Sequence, residues 1–323
     1  MTGAESGVLR LLVDDRVGDP DALDLVEAGR LAQAGGVVVR LADVLHAHGD
    51  GLPPGLGAAA AAACARTQRA LAIVDRLGDR CAALGLSHAI VDVAERYPDS
   101  GRVVLLVDAP PSAALDRAIL RDTPARAAPR RGVGLHRQLA GSSTYVAQYG
   151  IQIRVRHGRV GRFGEHAWFA RRLLERARPQ PVGRSTCRVA TPEDYFLLLA
   201  IERAYARPGL RLADLAWIMP LLRRTPPALA WDYVFATALA CGVVSAISGY
   251  LSYVDGEHRR LFRNALVPDD VRRRFGESRR RSTTARTFLR QVGATIESGR
   301  WHSAARLSFA PVLAALAGLR RTA

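Results

Sequence analysis

The groups able to do acid–base or ion-pairing chemistry gather in the middle of this 323-residue chain. His136, His157, Glu165 and His166 lie in segments that read as loops around short apolar runs, and imidazole exchanges protons near neutral pH. The stretch IQIRVRH, 151–157, alternates strictly. As an extended strand it puts Gln152, Arg154 and Arg156 on one face and Ile151, Ile153, Val155 and His157 on the other. Guanidinium groups in such a row grip phosphate or carboxylate through paired N–H donors. Asp92, Asp99 and Asp108 are the acids nearest the same strands and the local candidates for holding a divalent ion. Two arginine triplets, Arg272, Arg273, Arg274 and Arg279, Arg280, Arg281, flank Phe275. They read as an exposed basic helix or as a patch for RNA or an acidic protein partner.

Composition removes several chemistries. All 46 basic residues are arginine, so no ε-amine exists to form a Schiff base. The formal charge of +16 favours anionic ligands, although the alanine tract at 58–63 shows the same bias toward GC-rich codons that would supply arginine without a function. Cys64, Cys81, Cys187 and Cys241 are far apart with no C-x-x-C spacing, which fits reduced and mostly buried thiols rather than zinc. The sequence has no Gly-x-Ser-x-Gly and no Gly-rich phosphate loop ending in lysine. MTGAESG lacks a basic region ahead of an apolar block, so no signal peptide is expected and the location reads as cytoplasmic.

The elements that must position these groups follow from periodicity. A helix is expected from a cap near Asp19 to Gly35-Gly36, a second over 37–48, and a long one over about 58–84 with Leu71, Val74, Leu77 and Leu84 on one side. Apolar runs at 87–91, 102–108 and 151–157 read as strands. Helices follow the double proline at 110–111 and cover about 165–178, with 123–134 between them as a loop. Thr191-Pro192-Glu193-Asp194 is a strong helix start, with Thr at the cap and acids in the first turn. From there the chain reads as helical to its end. Tyr233–Val254 is uncharged and long enough to span a bilayer, but Gly242 and its hydroxyl-bearing side chains suit two buried helices, so no membrane span is expected.

The order of AERYPDSG, VVLLV, HGRVG…GEH and TPED…LRLADL resembles the uncharacterised bacterial nucleotidyltransferase-family proteins of the DNA polymerase β-like superfamily. The resemblance runs over most of the chain. It implies an α/β (α+β) class: a nucleotidyltransferase-like mixed sheet with flanking helices, plus a C-terminal all-helical domain. The implied division is a nucleotidyltransferase-like domain over 1–188, with a helical segment at about 20–85 and an α/β core at about 86–188, then a helical domain over 189–323.

It also implies Mg²⁺-dependent nucleotidyl transfer, with Asp-x-Asp opening the strand after the Pro-Asp-x-Gly turn and a third acid in the later strand. This chain departs at each of those places. Arg102-Val103-Val104 follows Gly101, and Arg154 stands at the third acid's place. A lysine that similar proteins carry ahead of the ERYPD-like segment falls at Asp92. The expectation is therefore a degenerate scaffold, a pseudoenzyme that binds an anionic small molecule, a nucleotide or a partner through Arg102, Gln152, Arg154 and Arg156, with no cofactor. The alternatives are a metal-independent enzyme of a biosynthetic pathway using His157, His166 and Arg154, and an active Mg²⁺ enzyme using Asp92, Asp99 or Asp108.

Overall fold

The computed structural model describes residues 3–14, 24–49, 51–92, 102–111, 113–122, 125–127, 141–161, 164–182, 185–203, 212–223 and 229–276, with a few positions between 289 and 309. It is a mixed α/β structure followed by a helical stretch. Four helices come first: α1 (Gly3–Val13), α2 (Leu25–Gly35), α3 (Val38–Ala47) and α4 (Pro54–Ala83). The cap of α2 is Asp24, whose carboxylate accepts from the N–H groups of Val26 and Glu27, rather than a residue near Asp19. The helix ends at Gly36 in the left-handed region, φ 72°. Pro53-Pro54 starts α4 one turn earlier than the alanine tract suggests, because proline at the first helical position gives up only an N–H that has no helical acceptor.

Among the described residues seven strands form one sheet: β1 (His88–Asp92), β2 (Arg102–Val107), β3 (Ala125–Ala127), β4 (Ser142–Ala147), β5 (Gln152–His157), β6 (Arg178–Val182) and β7 (Ser185–Val189). Their spatial order is β3-β4-β5-β2-β1-β7-β6. The pairs β2/β5 and β1/β7 are parallel and the others antiparallel. Helix α5 (Ala113–Asp122) links β2 to β3, and α6 (Ala167–Arg176) lies between β5 and β6. The span 123–134, expected as a loop, contributes the short strand β3 at the sheet edge.

β2 lies inside the sheet with Val103–Val107 all buried, which is why it reads as an unbroken apolar run. Its two faces meet different layers. Val103, Leu105 and Val107 join Ile153 and Val155 of β5 under Ile73, Val74 and Leu77 of α4 and Ile119 of α5. Val104 and Leu106 face the larger core, which holds Phe169 and Leu173 of α6 and the C-terminal helices. Burying each of these large aliphatic side chains contributes about 1.5–3 kcal/mol before the entropy of ordering is subtracted.

The helical stretch comprises α7 (Pro192–Arg203), α8 (Leu212–Arg223), α9 (Trp231–Ala240), α10 (Val244–Phe262) and α11 (Asp269–Phe275). The uncharged run 233–254 breaks at Gly242, φ 68°, into α9 and α10, and no described helix is long and apolar enough to cross a membrane. Helices α1–α3 pack into this C-terminal layer. Half-buried Arg40 of α3 donates to the carbonyls of Ala216 and Leu12, both at 2.8 Å, and burial lowers its pKa. Arg10 donates to the Leu261 carbonyl at 2.8 Å, and Arg223 pairs with Asp14 at 2.7 Å. None of the four cysteines forms a disulfide; Cys64 is exposed and the other three are buried, and burial pushes the Cys81 thiol up to about 11.

Candidate functional site

The site begins with β2 and β5 lying parallel, Arg102 opposite Gln152 and Val104 opposite Arg154. Register partners in neighbouring strands project from the same face. Arg102, Val104, Gln152 and Arg154 therefore share the face turned away from α4 and α5. The rung continues on both sides: the backbone of Asp92 in β1 is opposite Val104, and Thr144 of β4 is opposite Arg154. Side-chain exposure falls along β5, with Gln152 exposed, Arg154 half-buried and Arg156 buried. The strand thus runs from solvent at its N-terminal end into the core at its C-terminal end.

That gradient separates the arginines by role. Arg156 is 2 % exposed, pairs with Glu202 of α7 and donates from Nη1 to the Gly161 carbonyl at 3.2 Å. Its guanidinium is committed to fastening the sheet to the first C-terminal helix. Arg102 and Arg154 are half-buried at the outer end of the strand pair.

The histidines are set apart from them. His157 follows Ile153 and Val155 on the α4/α5 face, buried, with Nε2 3.0 Å from the Ser143 hydroxyl. Arg154 and His157 thus point to opposite sides of the sheet. His166 pairs with Val160 through the backbone, and its Nε2 is 3.7 Å from the fully buried Glu165 carboxylate. That carboxylate lies over Gly161, where a Cβ would come within 2.5 Å of the Glu165 Cδ. Gly161 has φ +96°, which glycine alone tolerates easily. His136 and Asp99 lie outside the described residues, as does the Asp92 side chain. Asp108 is exposed at the far end of β2, its N–H bonded to the Ser87 carbonyl.

The donor set on this face does not suit Mg²⁺. Mg²⁺ is held by oxygen ligands, carboxylates above all; the two rungs here carry Arg102, Gln152, Val104 and Arg154. A divalent ion about 4 Å from one guanidinium meets a repulsion of about 2–8 kcal/mol across the range from bulk water to a protein surface. Among the described residues no group of three or more His, Cys, Asp or Glu is placed to hold a metal.

The basic triplet at 272–274 is largely tied down. Arg272 pairs with Asp269 at 2.8 Å, and Arg274 pairs with Asp232 and stacks 4.4 Å from the Phe235 ring centre. Arg279, Arg280 and Arg281 lie outside the described residues.

Two polar centres were not foreseen from sequence. Glu202 is the partner of Arg156, 46 residues away, and no local pattern marks such a pair. Asp194 reads as a first-turn acid but is fully buried, accepting from Thr191 at 2.9 Å, Arg176 at 3.2 Å and the Tyr233 hydroxyl. Burial raises its pKa, opposed by the Tyr233, Thr191 and Arg176 contacts. Arg176 stacks 3.7 Å from the Tyr233 ring centre, so this cluster locks α6, α7 and α9 together. Comparison with known proteins adds nothing to this geometry: no family model matches the chain, and neither a curated protein nor a solved structure does.

Proposed function

We propose that the chain is a degenerate nucleotidyltransferase-type protein that binds an anionic ligand, a nucleotide or phosphorylated metabolite, at the outer end of β2 and β5. The observation that carries the reading is the rung Arg102/Gln152 followed by Val104/Arg154 on one sheet face. These are the positions at which the resemblance requires metal-binding carboxylates, and here the two ends of the triad carry guanidinium groups. A phosphate oxygen between Arg102 and Arg154 would accept charge-assisted hydrogen bonds, the strong kind, with Gln152 adding a neutral donor.

The separation of His157 and Arg154 onto opposite faces favours binding over acid–base chemistry by that pair. Purified protein is therefore expected to show no Mg²⁺-dependent incorporation of labelled nucleotide into protein, RNA or small acceptors. Incorporation above the level of a heat-treated control, lost in Asp92→Asn or Asp108→Asn, would overturn the reading and restore the metal-dependent enzyme.

A further inference from the structure

Away from the sheet, α10, the 263–268 turn and α11 enclose a cleft of about 280 Å³. Ser248, Ser252 and Gly256 of α10 follow one another at four-residue spacing along it, so one flank of the helix is low and leaves the space open. Leu251, Val267 and Phe275 give the cleft an apolar wall. Ser248 donates to the Gly276 carbonyl at 2.8 Å, which fixes the chain where it leaves α11.

One carboxylate and two guanidinium groups line the cleft. Asp255 is saturated from within: Oδ1 accepts from the N–H groups of Leu266 at 2.7 Å and Val267 at 3.0 Å, and Oδ2 accepts Arg259 Nε at 2.9 Å. Burial works against its charged form, and these partners outweigh burial and keep its pKa below the ordinary carboxylate value. Arg272 pairs through Nη2 with Asp269, which does not line the cleft, at 2.8 Å. Arg259 uses one of its donors on Asp255. Arg272 bonds the Val267 carbonyl at 3.1 Å through Nη2, while its buried Nε–H has no acceptor among the described residues. A buried donor left unmade is costly.

We infer that this cleft is a binding site for a small organic monoanion, its oxyanion held between Arg259 and Arg272 and its short apolar body against Leu251, Val267 and Phe275. The volume suits a molecule of about eight heavy atoms and sits at the small end of ligand pockets. The inference is independent of the reading of β2 and β5.

Hexanoate, hexanol and inorganic phosphate separate the two halves of the recognition. In ligand-observed NMR titrations of the full chain, hexanoate is expected to bind saturably with Kd of about 1 mM or below. Hexanol and phosphate are expected to bind at least about tenfold more weakly, each lacking one half. Ser252→Leu fills the cleft from an exposed position and should abolish binding, whereas Ser252→Ala keeps it open and should retain it. Arg259→Gln should weaken hexanoate by about tenfold, and Arg154→Gln should leave it unchanged. Absence of saturable binding, equal binding of hexanol, or binding that survives Ser252→Leu would each overturn the assignment.

Discussion

Val104 of β2 and Arg154 of β5 are direct partners across a parallel strand pair, one rung inward from Arg102 and Gln152. A cation therefore stands beside an aliphatic side chain on the face proposed above to bind an anion. Reversing the charge there is the plainest mutational probe. The variant Arg102→Asp/Arg154→Asp is expected to lose affinity for nucleoside triphosphates and to gain weak Mn²⁺ binding, read by calorimetry or by paramagnetic broadening. Unchanged nucleotide affinity would remove these arginines from the site.

Arg156 and Glu202 make a different kind of pair, structural, with Arg156 buried and Glu202 partly exposed. Glu202→Gln leaves a guanidinium that is 2 % exposed without its counter-charge, which costs about 3 kcal/mol, the lower end for breaking a buried pair. Arg156→Met/Glu202→Leu removes both charges and is expected to recover most of that loss. Urea denaturation of the three proteins measures it. A loss below about 1 kcal/mol in Glu202→Gln would mean that the pair behaves like a surface ion pair.

Gly161 and Gly36 separate two reasons for glycine. Both have positive φ, but a Cβ at Gly36 meets nothing within 4 Å, whereas at Gly161 it meets the buried Glu165 carboxylate. Gly36→Ala should cost about 1 kcal/mol from backbone strain alone. Gly161→Ala should cost at least about 2 kcal/mol more, because Glu165 has no exposed space to retreat to. Thermal melts that rank the two equally would show that Glu165 can move.

Acid should weaken the fold through His258. The ring is buried in α10, stacks 4.7 Å from Phe262, and has Nδ1 3.2 Å from the Asn264 carbonyl. Burial, reinforced by Arg223, lowers its pKa below 6.5, against the opposing pull of the Asn264 carbonyl and Asp255. The unfolded chain then binds the proton first. Stability from this group is complete above about pH 6.5 and falls as pH drops through the depressed value. Urea midpoints at pH 7.5 and 5.5 should diverge in the parent and converge in His258→Leu. An equal pH dependence in both would contradict the assignment.

Much of the architecture was legible from periodicity. The alternation of 151–157 placed Arg154 and His157 on opposite faces, and β5 has that arrangement. Gly242 divided the apolar run where α9 gives way to α10. The strands β4 and β6 were missed for physical reasons. β6, Arg178–Val182, contains two prolines and survives as a strand because it lies at the sheet edge, where missing donors cost least. β4 carries serines and a threonine on a partly exposed ribbon, and so lacks an apolar signal. The site was legible only in its residues. That Arg156 is consumed by Glu202 while Arg154 is not buried depends on where α7 packs, a tertiary fact that no spacing of charges encodes.

The central claim is an anion site that works without metal. Calorimetric titration of the protein with ATP, with and without Mg²⁺, tests it most directly, alongside Arg154→Glu. The account predicts saturable binding that persists in chelator, weakens when Mg²⁺ sequesters the phosphates, and falls at least about tenfold in Arg154→Glu. Binding that requires Mg²⁺, or that Arg154→Glu leaves intact, would contradict it.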